Sequence, residues 1–290
     1  MHKHVSYTAL IVALVALLVV LLNPKNVDVI PKKETAFERV MRTHTLRCGY
    51  DVWPPIIMHD ETTGQLSGIF YDYMETLANN LGLKIEWVKG ITYASYISDL
   101  HYDRIDAMCA GVWPVGEIID AVDFTRPLYY LPINAYVRAD DVRFDHDLSV
   151  LNNKQYAIAD IDGLVPARIA RENFPDARTV SLPPTSPTSD MLLSVAMGKA
   201  DVTFTDPLTA ASFAKTNPNK LKLISTPQPI RVFGNTMAVA KDDGNLLRML
   251  DNATEEIRNS GVIEKVLQKY EPAPGTFIRV AAPYALPLHP

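Results

Sequence analysis

Cysteine is nearly absent from this 290-residue sequence: Cys48 and Cys109 are its only two. That is too few for a disulfide-held scaffold or an all-cysteine zinc site. Cationic side chains are outnumbered, 28 Lys and Arg against 33 Asp and Glu, for a net charge of -5. Without a surplus to neutralise phosphates, nucleic acid is not an expected partner. The chain has no Walker A loop, no G-x-S-x-G and no dinucleotide fingerprint, and no cofactor is expected. Its seven histidines are scattered, from His2 and His4 to His289, without i,i+4 or H-E-x-x-H spacing, so no metal site is indicated. The remaining composition is ordinary: 48% hydrophobic and 21% charged residues describe an ordered globular chain. Its length suits two units, or one two-lobed domain with accessory segments.

One long apolar run is present. Tyr7 to Leu22 contains Thr8 as its only strongly polar side chain, and Val5 to Leu22 reaches the length a spanning helix needs. The run exceeds the usual core of a secretory signal, and Asn23-Pro24-Lys25-Asn26 follows it with no A-x-A pattern. Residues 1–22 therefore read as an uncleaved signal anchor, with a cleaved signal as the alternative. Lys25, Lys32 and Lys33 lie after the run, so charge alone does not place the body outside. Residues 23–43, with Pro24 and Pro31, read as a linker that ends in a helical turn or more from Thr35 to Met41.

Beyond the linker, strand-like and helix-like segments alternate. Strands are expected at Thr45–Tyr50, Lys84–Val88 and Ile105–Ala110, with helices at Ile69–Leu81, stopped by Gly82, and Tyr93–Leu100. The pattern then restarts: strands at Gln155–Asp160, Arg178–Leu182 and Ala200–Thr205, helices at Val165–Asn173 and Ser189–Met197. Asp106 and Asp201 hold equivalent places just before a strand in each half. A further strand, Thr236–Ala240, precedes an amphipathic helix, Leu246–Asn259, with Leu246, Leu250, Ala253 and Ile257 on one stripe. The expected fold is α/β, two similar lobes facing across a cleft. Ligands of open α/β sheets sit beyond the carboxyl ends of strands. That places Asp51, Trp53, Ala110, Gly111, Trp113, the Asp160–Val165 turn and Asp206 on the cleft walls. The last stretch, residues 272–290, is Pro-rich and expected to be irregular.

Four stretches together resemble the extracytoplasmic solute-binding proteins of amino-acid ABC importers. They are Leu46-Arg-Cys-Gly-Tyr-Asp-Val-Trp-Pro-Pro55, Gly64-Gln-Leu-Ser-Gly-Ile-Phe-Tyr-Asp72, Ile105-Asp-Ala-Met-Cys-Ala-Gly111 with Val122-Asp-Phe-Thr-Arg-Pro-Leu-Tyr129, and Asn259-Ser-Gly-Val-Ile-Glu-Lys-Val-Leu-Gln-Lys-Tyr270. The resemblance covers residues 44 to 271. It implies the periplasmic-binding-protein fold: lobe 1 from residues 44–132 and 236–271, lobe 2 from 133–235, joined by crossings near Leu131–Tyr136 and Val232–Thr236. It also implies a body in the periplasm, held by a single-pass inner-membrane anchor, and a ligand trapped by hinge closure.

The family's ligand contacts carry over unevenly. Its covering aromatic falls on Trp53, and its ammonium-holding carboxylate on Asp206. The arginine that clamps an α-carboxylate falls on Ile118, and Arg126 is too far along the chain to replace it. Small hydroxyl positions become Ala110, Gly111 and Trp113 in lobe 1, and Leu164 and Val165 in lobe 2. The backbone at the start of the helix after Leu164 is left as an anion holder. Trp87 reads as core. Cys48 and Cys109 are expected to remain free, because strand-to-strand geometry rarely suits a bridge.

These residues describe a membrane-anchored, non-catalytic binding protein for a small polar or amine-bearing solute. Its expected partners are that small-molecule ligand, the membrane, and an ABC permease or envelope-complex subunits. Two other functions compete: a ligand-free structural subunit of an envelope complex, and a dehydratase-like enzyme using Asp160, Asp162, Asp206 or Glu117 as its acid.

Overall fold

The computed structural model describes residues 12–14, 33–226 and 228–281. The chain divides into two units, Met1–Thr35 and Ala36–Pro290. Of the first, residues 12–14 are helical. The expected anchor over 5–22 otherwise lies outside the described residues, as do residues 23–32 of the linker and residues 282–290. No helix among the described residues is long and apolar enough to cross a membrane.

The second unit opens with helix α1 (Ala36–Thr43), whose buried Val40 packs on the body. What reads as linker in the sequence thus ends as a docked helix; the backbone N–H of Phe37 donates to Asp243 Oδ2 at 3.0 Å. Strand β1 (Thr45–Gly49) lies between β4 (Lys84–Val88) and β5 (Ala107–Val112), in parallel with both. The small hairpin β2 (Met58–His59) and β3 (Leu66–Ser67) leads into α2 (Ile69–Leu81). Gly82 ends α2 in the left-handed region, at φ 66°, where glycine has no Cβ to clash. Short α3 (Tyr96–His101) precedes β5, and β6 (Val122–Phe124) follows it.

Two ten-residue strands then tie the molecule together. In β7 (Tyr129–Arg138) the first half pairs with β12 (Arg231–Ala240), from Tyr129 opposite Asn235 to Ile133 opposite Arg231. The far end of β12 pairs with β5 and β6, and the far end of β7 with β10 (Val202–Thr205) and β11 (Leu221–Leu223). With β8 (Ala157–Ile161) and β9 (Arg178–Leu182), one continuous sheet path therefore serves both lobes, in the order β4-β1-β5-β12-β7-β10-β8-β9. Lobe 2 is completed by β8 (Ala157–Ile161), α4 (Val165–Asn173), β9 (Arg178–Leu182), α5 (Ser189–Ala196) and α6 (Pro207–Thr216).

The chain closes on lobe 1 with α7 (Gly244–Asn259) and α8 (Val262–Tyr270). The apolar stripe of α7 is buried as its spacing demands: Leu246, Leu250, Ala253 and Ile257 are at most 3% exposed. Burying each of the larger side chains stabilises the fold by about 1.5–3 kcal/mol.

The internal similarity of the halves extends to single atoms. Asp106 Oδ2 accepts the N–H of Arg47 at 2.7 Å, and the N–H of Asp106 donates back to the Arg47 carbonyl at 2.9 Å. In lobe 2, Asp201 Oδ2 accepts the N–H of Ala157 at 2.9 Å, and its own N–H returns to the Ala157 carbonyl at 2.8 Å. Each aspartate thus locks the strand it precedes to the first strand of its lobe, which is why both halves need an acid there. Arginines complete each site, Arg39 and Arg47 on Asp106, Arg138 and Arg143 on Asp201.

One expectation fails. Cys48 and Cys109 form a disulfide, their Cα atoms 5.4 Å apart and so within bridging range. Cys48 pairs with Ala107 in the β1–β5 register, so Cys109 lies two residues along, on the same face of the sheet. The beginning of the Pro-rich tail, though irregular, is fastened down. Phe277 is buried with its ring 4.9 Å from that of Tyr129. Ile278 exchanges two backbone hydrogen bonds with Tyr130, and Arg279 pairs with both Glu264 and Glu271.

Candidate functional site

The two crossing strands bring the carboxyl ends of β5 and β10 to either side of the seam between the lobes. On the lobe 1 wall, Trp53 sits in a tight turn through Pro54 and Pro55. Its carbonyl accepts the N–H groups of Ile56 and Ile57 at 2.7 and 3.1 Å. Its ring meets Trp113 edge-on at 5.5 Å and Tyr93 edge-on at 6.1 Å. Trp113 in turn stacks on Phe233 of β12 at 4.8 Å and donates Nε1–H to Asn235 Oδ1 at 3.2 Å. The Trp113 ring packs against the apolar cores of both lobes.

Small residues behind this wall are fixed by space. Gly111 has φ 74°, and a Cβ there would meet the side chains of Ile56 and Phe70 at 3.0 Å. Ala110 is fully buried, its carbonyl accepting from the Tyr93 hydroxyl. Asp51 spends its carboxylate on the backbone: Oδ1 accepts from Val52 at 2.9 Å and Oδ2 from Tyr93 at 3.1 Å. Ile118, standing where the resembled family has an arginine, packs against the lobe 1 core. Arg126 bonds through its N–H to Asp251 and through its guanidinium to Glu255 at 3.6 Å, both on α7.

On the lobe 2 wall, Asp206 is 4% exposed and caps α6. Oδ1 accepts the N–H groups of Leu208 and Thr209 at 2.8 and 2.9 Å, and Oδ2 accepts the Thr209 hydroxyl at 2.7 Å. Burial holds this carboxyl above its ordinary value, and the capping bonds oppose it. Two residues on, Leu208 crosses to join the lobe 1 core. Leu164 precedes α4, 41% exposed and offering no side-chain cap. Pro166 at the head of that helix lacks an N–H, so the expected backbone anion holder is one donor poorer. Glu117 of lobe 1 and Arg168 of α4 form an ion pair that spans the two lobes.

Trp53, Trp113 and Asp206, all expected on the cleft walls, line this seam. Asp51, Ala110, Gly111 and Leu164 lie beside it, the first three engaged with lobe 1 itself. Sequence reasoning missed Tyr93, Tyr129, Arg168, Phe233 and Asn235. Tyr129 and Asn235 face each other in register, both fully buried, and the Tyr129 hydroxyl and Asn235 Nδ2 have no hydrogen-bond partner. Burial first, then the nearby Tyr93 and Asp206, hold the Tyr129 hydroxyl well above its ordinary value. A polar residue inside a buried crossing strand was the available signal.

The profile of the bacterial extracellular solute-binding proteins, family 3, matches residues 46–273, which contain both lobes, both crossings and the closing helices. The chain belongs to this family. The chain is 24% identical over 211 residues to YxeM of Bacillus subtilis, named a probable amino-acid-binding protein; the match covers 71% of this chain and 76% of YxeM. It is 23% identical over 223 residues to the L-cystine-binding protein TcyA of the same organism, covering 75% of this chain and 77% of TcyA. The crystal structure of AncCDT-1, an ancestral amino-acid-binding protein described as a precursor of cyclohexadienyl dehydratase, shares the fold. The TM-score is 0.66 at 24% identity, over 81% of this chain and 99% of that one.

Proposed function

We propose that this solute-binding protein captures a small cationic or neutral solute with an apolar body, not an ordinary α-amino acid. The observation that carries this reading is the charge inventory of the seam. A zwitterion needs a fixed cation for its carboxylate, and Ile118 stands where that arginine would be. Arg168 is committed to Glu117, and Arg126 faces α7. Losing one partner of a buried charge pair costs about 2–5 kcal/mol. A dipole contact at the α4 start returns about 0.3–2 kcal/mol at most. What remains is aromatic surface from Trp53 and Trp113, worth about 0.5–2 kcal/mol to a cation over a ring face, and the buried Asp206.

In this reading the body works in the periplasm, anchored in the inner membrane by residues 5–22, and delivers or reports its solute to an ABC permease or another membrane partner. Its role is non-catalytic: Asp206, the acid buried in the seam, is held as an acceptor by three donors rather than free to deliver a proton. Titration calorimetry of the full-length chain against the standard amino acids and a panel of aromatic and alkyl amines tests this. Amine binding weakened by Asp206→Asn is expected. Tight binding of any plain α-amino acid sinks the proposal, as does a panel in which no amine depends on Asp206 for its binding.

A second reading, a ligand-free structural subunit of an envelope complex, is favoured by one observation. Trp113 and Leu208 already join the lobes through direct apolar packing. That reading expects no solute to bind, and scattering curves that are the same with and without every candidate.

A further inference from the structure

Lobe 2 contains a hollow of about 220 Å³ between α4 and the edge strand β9, away from the interlobe seam. Asp160, Asp162, Arg171, Phe174, Thr179 and Ser181 line it. Asp160 is the anomaly. It is 1% exposed, on the strand face that carries Ile158 into the lobe 2 core, and neither carboxylate oxygen has a hydrogen-bond partner. An unpartnered buried carboxylate is costly, so it marks either a defect or a missing ligand.

The lobe comparison shows that this place need not be hollow. The reciprocal aspartate bonds make Arg47 equivalent to Ala157, and hence Tyr50 equivalent to Asp160. Through the β1–β4 and β8–β9 registers, Trp87 corresponds to Thr179. In lobe 1 that position is filled: the Tyr50 ring lies 5.9 Å from Trp87, which stacks on Tyr71 of α2 at 5.4 Å. In lobe 2 the same three-dimensional place holds a carboxylate, a hydroxyl and empty volume.

We infer that this hollow is a binding site for a primary ammonium group, distinct from the interlobe seam. The chemistry fits at three points. Asp160 and Asp162 against one guanidinium, Arg171, leave one net negative charge, which a single monovalent cation neutralises. Arg171 bonds to neither acid, so the acids are left for a ligand. A –NH₃⁺ group donates three hydrogen bonds. The Asp160 carboxylate and the hydroxyl of Ser181, its register partner, supply acceptors side by side, with Thr179 further along the same strand. Ala167, Ala170 and the buried Phe174 offer an apolar wall for a short alkyl chain. The volume is below the roughly 300–1,000 Å³ of drug-sized sites, which limits the ligand to a small amine.

The test uses the full-length chain and n-butylammonium chloride as probe, read by titration calorimetry. Binding is expected, with affinity falling at least about tenfold in Asp160→Asn, as for truncating one partner of a buried pair. Ser181→Ala should lose roughly two- to five-fold, the worth of one hydrogen bond. Asp206→Asn should leave this binding unchanged, which separates it from any amine held in the seam. Tetraethylammonium, which has the charge but no N–H donors, should not bind. Absence of n-butylammonium binding overturns the inference. So does binding indifferent to both Asp160→Asn and Ser181→Ala, or a site that takes Mg²⁺ or Ca²⁺ in an Asp160-dependent way while ignoring the ammonium. Should Asp160→Asn fail to fold, Ser181→Ala and Thr179→Val carry the same comparison.

Discussion

Lobe 1 and lobe 2 repeat one topology and stabilise it by different means. Lobe 1 staples its first strand to β5 through Cys48 and Cys109, closes the α2 face with Tyr50, Tyr71 and Trp87, and buries Asp106 completely beneath two arginines. Lobe 2 has no disulfide. Its matching aspartate, Asp201, keeps 17% of its side chain exposed, beside Arg143 at 42%. Where lobe 1 packs aromatic rings, lobe 2 keeps a hollow around Asp160. The shared elements, strand–helix–strand with an aspartate lock, are what the fold requires. The differing ones are free to be used for other purposes, rigidity in one lobe and a polar cavity in the other.

Several substitutions put pressure on that contrast. The largest effect is expected from the disulfide, which closes a chain separation of 61 residues. By loop-closure entropy its loss costs about 4 kcal/mol. Cys48→Ser with Cys109→Ser, or a reductant, should lower the thermal midpoint while hydrogen exchange in β8 and β9 changes little. A midpoint unmoved by reduction would dissolve the distinction between the lobes.

Next come the two aspartate locks. Asp106→Ala strands two guanidinium groups and an N–H and should cost about 3 kcal/mol in denaturant unfolding. Asp201→Ala, in its wetter setting, should cost about 1–2 kcal/mol. Equal costs would show that burial does not separate the two sites.

Smallest, and of opposite sign, is Asp160→Leu, which fills the hollow and removes an unpartnered acid; a gain of about 1 kcal/mol is expected at neutral pH. Burial, opposed by the neighbouring Ser181 hydroxyl and aided by the charge of Asp162, holds the Asp160 carboxyl above its ordinary value. The folded state therefore holds that proton more tightly than the unfolded chain does. Stability contributed by this group is full at pH below the ordinary carboxylate range and is lost as pH rises through the raised folded value. The advantage of Asp160→Leu should accordingly vanish in acid and grow towards neutrality. A constant advantage across pH would assign the gain to packing alone.

Most regular elements were legible because their signals are local. The spans Ile69–Leu81, Lys84–Val88, Val165–Asn173 and Arg178–Leu182 are as their periodicity and stop residues indicate. The paired aspartates, Asp106 and Asp201, announced the internal repeat, since an acid before a strand in both halves has a backbone to hold.

Other features required the third dimension. The sequence places Cys48 and Cys109 in neighbouring strands, but only the β1–β5 register puts them two residues apart on one face. Trp53 and Trp113 read separately as cleft aromatics; their mutual contact, and the stacking of Trp113 on Phe233, depends on how β7 and β12 cross. Asp160 looked like one acid among several in a loop-bound turn. That it lies under α4, unpartnered, follows from the strand face it occupies and from Thr179 and Ser181 standing where bulk would have filled the space. Local chemistry and period determine elements, because both act over a few residues; register and facing distant strands determine sites, because those residues meet only when the lobes are built.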